Sequence, residues 1–168
     1  ANVDPETGIM YVASTKTCSA PFIVPGAEMD ARRPNPIGST VMEWASGPGR
    51  GTRGPEGLHI LKPPYGRITA IDLNTGEQLW WIRNGDTPFQ VKNHPALQGM
   101  EIPNTGQRAL ATVLLTKTLL MYGEGRGAQA RFHAVDKETG ARVGTVELPA
   151  PSNTAPMTYM HDGKQYII

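Results

Sequence analysis

Apolar and polar positions alternate along this chain in short bursts, the period of half-buried strands rather than the longer spacing of amphipathic helices. The stretch "RITAIDLNTGEQLWW" shows the pattern at its clearest. Residues 67–71 and 77–81 are rich in strand-favouring side chains, and between them Asp72, Asn74 and Gly76 are turn formers, so the stretch predicts a β-hairpin. The Asp72 carboxylate can accept N–H groups of the turn, and Gly76 can take the positive φ that closes it. The same offsets return at Asp136, Thr139 and Gly140, and again at Asp4, Thr7 and Gly8. Three copies in one short chain predict a repeat architecture.

Spacing says what kind of repeat. The interval from Asp72 to Asp136 exceeds the roughly 40–45 residues of a four-stranded propeller blade, so it fits one blade plus a loop insertion. "ALATVLL", "TLLMYG", "ARFHAV" and "RVGTVEL" read as the four strands of a complete unit. "APMTYM" and "QYII", joined through the two-residue hairpin signal Asp162-Gly163, begin another. "MYVAST" and the 67–81 hairpin belong to an earlier unit, interrupted by a long loop at about residues 16–65. The expected organisation is therefore a blade over 1–88, a complete blade over 89–149 with a long leading loop, and the first half of another over 150–168. Adjacent strand residues face opposite sides, so Trp80 is expected to pack largely buried against a neighbouring blade while Trp81 points away.

Composition narrows the function classes. The 19 Gly and 15 Pro among 168 residues, with 18% charged residues, suit a loop-rich β protein. A net charge of +1 gives no electrostatic reason to expect nucleic acid or an acidic membrane as partner. With Cys18 alone there is no internal disulfide and no multi-cysteine metal site, and no paired histidine at short spacing makes it a nucleophile. His59, His94, His133 and His161 are too scattered for a histidine metal site, and His133 reads as a packed strand residue. Met157, Tyr159 and Met160 read as strand packing. "GPGRGTRG" lacks the Lys-Ser/Thr of a phosphate-binding loop and is expected to be a flexible loop. No apolar run approaches the roughly 20 residues of a membrane span, and the first residues are not a signal peptide. The chain starts without Met, close to a strand, and ends on another, which suggests a piece of a longer protein.

Ala70-x-Asp72-x-x-Thr75-Gly76-x-x-x-Trp80 resembles the tryptophan-docking motif of quinoprotein dehydrogenases, the propeller enzymes that carry pyrroloquinoline quinone (PQQ). "PPYGRITAIDLNTGEQLWW", "IPNTGQ" and "TAPMTYMHDGKQYII" extend the resemblance to the C-terminal part of the membrane-associated glucose and polyol dehydrogenase branch. The second copy departs from the pattern, with Gly144 where the docking Trp would stand. The resemblance implies an all-β fold: a partial arc of an eight-bladed propeller. It further implies that the Asp-x-x-Thr-Gly turns share one end of the blades and the long connections share the other, where the quinone and its calcium ion lie.

On that face the resemblance makes Asn104, Thr105, Gly106, Glu124, Arg126, Asn153 and Thr154 candidate cofactor contacts. Glu124 resembles, by position, an acidic residue near the quinone in the glucose-oxidising branch. Read without the family, Asn-Thr-Gly is an ordinary turn, and Glu124 with Arg126 an ordinary solvent-facing pair. The implied reaction is oxidation of a sugar, polyol or alcohol: a carboxylate takes the hydroxyl proton while hydride passes to the quinone, whose carbonyl calcium polarises. Electrons would leave to ubiquinone or a cytochrome. The implied location is periplasmic, at the inner membrane where a further segment anchors the parent. Neither the catalytic base nor the main calcium ligands match positions in this chain, so it is expected to be inactive alone and to need the remaining blades. A different class, the cofactor-free propeller that scaffolds protein assembly, uses the same repeats, and the long insertions favour the enzyme.

Overall fold

The structure, a computed structural model, describes residues 1–18, 21–32, 38, 42–46, 53–126, 128–152 and 154–168. In chain order the strands are β1 (Asn2–Asp4), β2 (Ile9–Thr15), β3 (Pro21–Pro25), β4 (Met42–Ser46), β5 (Gly66–Asp72) and β6 (Gln78–Arg83). After the short helix α2 (Phe89–Lys92) come β7 (Leu110–Leu115), β8 (Leu119–Arg126), β9 (Arg131–Asp136), β10 (Arg142–Glu147), β11 (Thr158–His161) and β12 (Lys164–Ile167); α1 (Gly26–Ala31) follows β3. They form two compact units. One, Ala1–Lys16 with Pro63–Ile168, holds two four-stranded antiparallel sheets, β1-β2-β5-β6 and β7-β8-β9-β10, and the β11-β12 hairpin. The other, Thr17–Lys62, holds the β3-β4 hairpin and α1. The described chain is thus all-β apart from short helical turns.

Three details differ from the sequence reading. β1 completes the first sheet, because the Asp4 turn folds residues 2–4 back onto β2, pairing Asp4 with Ile9. The stretch at residues 16–65, expected to be a loop, contains a hairpin and a helix. There Val24 is buried and Ile23 exposed, the alternation of a paired strand. β8 runs on through "YGEGR" to Arg126 rather than ending in a loop, because partners within the sheet satisfy the charge of Glu124. Residues 47–52 of the expected flexible loop lie outside the described residues.

The three Asp-x-x-Thr-Gly segments adopt one conformation. In each, the glycine N–H donates to the aspartate carbonyl, Gly8 to Asp4 at 2.9 Å, Gly76 to Asp72 at 2.8 Å and Gly140 to Asp136 at 2.9 Å. Each aspartate Oδ1 also accepts the N–H two residues on, and the Thr139 hydroxyl and N–H at Asp136 hold that carboxyl below its ordinary pKa. A bulge recurs as well, after Ala70 opposite Trp80 and after Ala134 opposite Gly144. It therefore belongs to the repeat and not to the tryptophan.

Tyr11, Ile68, Ala70, Val113, Leu120, Tyr122 and Val135 form a buried core drawn from both sheets, with Trp80 and Ile82 packed against it. Each large side chain buried in this way contributes about 1.5–3 kcal/mol. Polar bonds then fix how the sheets meet. The Lys137 carbonyl accepts the Trp80 indole N–H and the Tyr11 hydroxyl, both at 3.1 Å, and the Lys137 ammonium donates to Asp4 Oδ2 at 2.6 Å. That last bond holds the Asp4 carboxyl below its usual range. Trp80 is partly rather than fully buried, its ring lying over Gly140. Trp81 takes the opposite face, exposed beneath the Arg83 guanidinium, 5.3 Å from the ring centroid.

Two glycines in identical turns separate backbone strain from packing. Gly76 and Gly140 share φ values of 75° and 72°, yet a Cβ on Gly76 meets nothing within 4 Å while one on Gly140 lies 2.8 Å from the Trp80 ring. Gly76→Ala is expected to cost about 1 kcal/mol, the left-handed penalty alone. Gly140→Ala should cost at least about 1 kcal/mol more, because the indole must move off its seat. Urea unfolding of the two variants checks this, and equal losses would show that the Trp80 contact contributes nothing to stability.

Candidate functional site

The antiparallel order sets which residues meet at each end. The Asp4, Asp72 and Asp136 turns gather at one end, where Lys137 receives Tyr11 and Trp80. At the other end β2 finishes at Thr15, β5 begins at Gly66, β6 finishes at Arg83 and β8 finishes at Arg126. The connection after β6 returns to this end and is pinned there. Tyr65 N–H donates to the Thr105 carbonyl at 2.9 Å, Gln107 N–H to the Asn84 carbonyl at 2.7 Å, and Asn84 N–H to the Gly66 carbonyl at 3.0 Å. Such close backbone approach needs glycine on both sides, since a Cβ on Gly66 would strike the Gln107 carbonyl and one on Gly106 the Gly66 carbonyl.

Asn104, Thr105 and Gly106 form a turn whose own bonds hold it rigid. Asn104 Oδ1 accepts Gly106 N–H at 2.8 Å and its Nδ2 donates to the Gly85 carbonyl at 3.1 Å. Thr105 N–H donates to the Thr87 hydroxyl at 3.0 Å. One open cleft, about 270 Å³, lies beside Tyr65 and is lined by Ser14, Thr15, Lys16, Pro64, Tyr65 and Arg67. A second, about 390 Å³, is lined by Asp86, Thr87, Lys92, Ile102 and Asn104. Tyr65 is buried, and burial raises its phenol pKa, so it stays a neutral donor.

Glu124 is not a surface residue. Its side chain is 2% exposed, Oε1 accepts from His133 Nε2 at 2.8 Å, and Oε2 accepts Gln129 N–H at 3.1 Å. The other His133 nitrogen meets the Thr145 hydroxyl at 2.8 Å, so both ring nitrogens are engaged, as expected of a packed strand histidine. Arg131 draws three carboxylates together, at 2.8 Å from Asp86, 3.2 Å from Glu147 and 3.8 Å from Glu124. The Asp86 bond is the main reason its guanidinium pKa is raised.

Of the residues expected from the sequence, Asn104, Thr105, Gly106 and Glu124 share this end. They are joined through Asn84, which donates from Nδ2 to the Glu124 carbonyl at 2.9 Å, and through Gly85. Arg126 ends β8 opposite Leu110. Thr154 accepts the Thr112 hydroxyl on its carbonyl at 2.8 Å, and Asn153 lies outside the described residues. The sequence reading missed Lys16, Arg67 and Asn84. Asn84-Gly85, directly after a strand, was the available signal for the last. Asn84 Oδ1 is buried with no donor among the described residues, an arrangement that costs about 1–3 kcal/mol.

The family model of the glucose/ethanol/alcohol dehydrogenase β-propeller domain, the PQQ family, matches residues 1–167, and the chain belongs to that family. It is 34% identical over 118 residues to the "Probable quinate dehydrogenase (quinone)" of Xanthomonas campestris pv. juglandis, an alignment covering 67% of this chain and 14% of that protein. It is 32% identical to the glycerol dehydrogenase large subunit of Gluconobacter thailandicus, over 66% of this chain and 15% of that protein. The quinoprotein glucose dehydrogenase of Escherichia coli (strain K12) is also 32% identical, over 68% of this chain and 14% of its own length. The chain therefore spans only 14–15% of these relatives.

Glu124→Ala is expected to destabilise the protein by about 3 kcal/mol, since it strands the His133 ring nitrogen and the Gln129 N–H without an acceptor. Glu124→Gln keeps one acceptor and should lose less, about 1 kcal/mol. Denaturant titration of both variants separates them, and a harmless alanine would mean that the buried network does not support this end of the sheet.

Proposed function

We propose that this chain is part of a PQQ-dependent dehydrogenase oxidising hydroxyl groups of sugars, polyols or other alcohols, and that the loop end forms one wall of its cofactor pocket. One observation carries this reading: in a chain of the PQQ family, the cleft at that end combines two cations, Lys16 and Arg67, with the buried Tyr65 and two hydroxyls. PQQ is a flat quinone bearing three carboxylates, and that donor set fits it. When bound, PQQ supplies the two-electron acceptor of the reaction.

The residues of the chain bind and orient. Arg67 presents a planar fork to one carboxylate and Lys16 a point charge to another. Asn104, Thr105 and Gly106 brace the wall through Tyr65, and Glu124 braces it from the second sheet. Arg126, Asn153 and Thr154 complete the proposed contacts. Trp80, seated on the next sheet, acts as the docking tryptophan. Among the described residues no three His, Cys, Asp or Glu side chains gather into a metal site. No step here runs through a calcium ion. Ubiquinone or a cytochrome as electron acceptor and a periplasmic location accompany the proposal. No helix among the described residues is long and apolar enough to cross a membrane.

The test uses the intact parent protein, titrated with PQQ in the presence of calcium and followed by melting temperature and quinone-dependent dye reduction. Binding to the native state must raise the melting temperature. Arg67→Gln is expected to weaken PQQ binding by about ten-fold or more, the worth of one charge-assisted bond. Neither a rise nor dye reduction in the wild type would overturn the enzyme reading and favour a cofactor-free scaffold.

A further inference from the structure

We infer that the face of the first sheet that carries Arg67 and Arg83 docks an acidic segment of the parent protein: the connection leaving the last strand of a preceding sheet of the same repeat, with carboxylates for both arginines. This rests on the part of the reading above that places the chain in a larger propeller protein, and it adds the chemistry of one joint between repeats.

The two sheets correspond residue for residue. With Asp72 matched to Asp136, Arg67 matches Arg131, Thr69 matches His133, Trp81 matches Thr145 and Arg83 matches Glu147. Pairing repeats as well: Arg67 lies opposite Arg83 as Arg131 lies opposite Glu147, and Thr69 opposite Trp81 as His133 opposite Thr145. On the adjoining strands Val12 is opposite Thr69 and Tyr122 opposite His133, so Ser14 stands where Glu124 stands.

In the second sheet this row is covered by the segment that follows the last strand of the first. Asp86, just beyond the end of β6, bonds Arg131 at 2.8 Å, and Asn84 Nδ2 donates to the Glu124 carbonyl at 2.9 Å. Glu147 and Glu124, within the row itself, lie 3.2 and 3.8 Å from the same guanidinium. The first sheet has lost both of these carboxylates, with the Ser14 hydroxyl in place of Glu124 and a second arginine in place of Glu147. A row that is net negative in the second sheet is therefore doubly positive in the first. Among the described residues neither Arg67 nor Arg83 has a carboxylate partner, and Arg83 lies against the Trp81 ring instead. Like charges directly opposite on adjacent strands destabilise a sheet unless anions answer them. On the same face Val3 and Trp81 are exposed, and the buried Thr69 hydroxyl has no partner among the described residues, whereas His133 in the matching place uses both ring nitrogens.

The position of Asp86 points to where the acids come from: a carboxylate just past the last strand of one sheet reaches the matching arginine of the next. An arginine there serves more than one anion. Arg131 bonds Glu147 through Nε and Asp86 through Nη1, so Arg67 can hold a carboxylate of its neighbour and one of the cofactor together. The opposite polarity of the two rows also keeps the repeats in order, since a segment with several carboxylates suits Arg67 and Arg83 and is repelled by Glu124 and Glu147.

The experiment uses the intact parent protein. Arg83→Lys keeps the charge and supplies an amine, which a water-soluble carbodiimide couples to a carboxylate in contact with it, forming an amide with loss of water. Arg131→Lys is the control, because Asp86 and Glu147 lie beside it. Peptide mapping by mass spectrometry is expected to join position 83 to an Asp or Glu within the few residues that follow the last strand of a preceding repeat. Arg83→Glu should lower the melting temperature by several degrees at low salt and by less at about 1 M salt, and changing the coupled acid to Lys should restore most of the loss. Coupling to residues 17–62 of this chain or to the cofactor, no coupling while the control reacts, or an Arg83→Glu variant as stable as the wild type overturns the inference. None of these readouts depends on catalysis. A protein that couples as expected but neither binds PQQ nor reduces dye overturns the dehydrogenase reading and leaves the docking surface standing.

Discussion

Lys137 receives two hydrogen bonds on its carbonyl and gives one through its ammonium, and all three cross from the second sheet to the first. Each is worth on the order of 1 kcal/mol net. Their larger effect is geometric, since hydrophobic burial alone is non-directional and would let the two sheets slide. A carbonyl shared by Trp80 and Tyr11, with Asp4 holding the side chain, leaves one arrangement. The turn supplying that carbonyl is itself fixed by the Asp136 to Gly140 bond. Local turn chemistry thereby becomes an interaction between sheets.

What is locked at the turn end is passed to the loop end by the rigidity of the strands. There Asn84 reaches the Glu124 carbonyl, the connection of residues 84–107 is bonded to Tyr65 and Gly66 at the start of β5, and two clefts open, one beside Tyr65 and one beside Asn104. The candidate site is therefore built of segments held by backbone bonds, with the side chains of Lys16, Arg67, Ser14 and Thr15 lining one cleft beside Tyr65. A binding wall needs that division of labour. Glu124 and His133, both buried, belong with Thr145 to the supporting layer: they hold a carboxyl group inside the sheet beside Arg131, which in turn bonds Asp86 at the second cleft.

Legibility in the sequence followed the range of the interactions. The three Asp-x-x-Thr-Gly turns and their hairpins were readable because each is decided within five residues by an aspartate, a threonine and a glycine. Trp80 facing away from Trp81 followed from the strand period. β1 escaped because a three-residue strand carries no period of its own, and β8 was cut short because Gly-Glu-Gly reads as loop until the His133 side chain is known to reach Glu124 from β9. The Asn104 turn and Glu124 were placed at one end by the order of connections, without any knowledge of contacts. Lys16, Arg67 and Lys92 were not found. Each is an unremarked cation in its own segment, and only the paired strands and the returning connection show which clefts they line.

The central claim is that one end of these sheets holds the blades together while the other forms the cofactor wall. Hydrogen exchange of the intact protein, measured with and without PQQ, tests it at the level of peptides. The account predicts added protection at residues 14–16, 65–67 and 104–107, with the Asp4, Asp72 and Asp136 turns unchanged. Protection concentrated at those turns, or absent from all three loop-end segments when PQQ is bound, would contradict it.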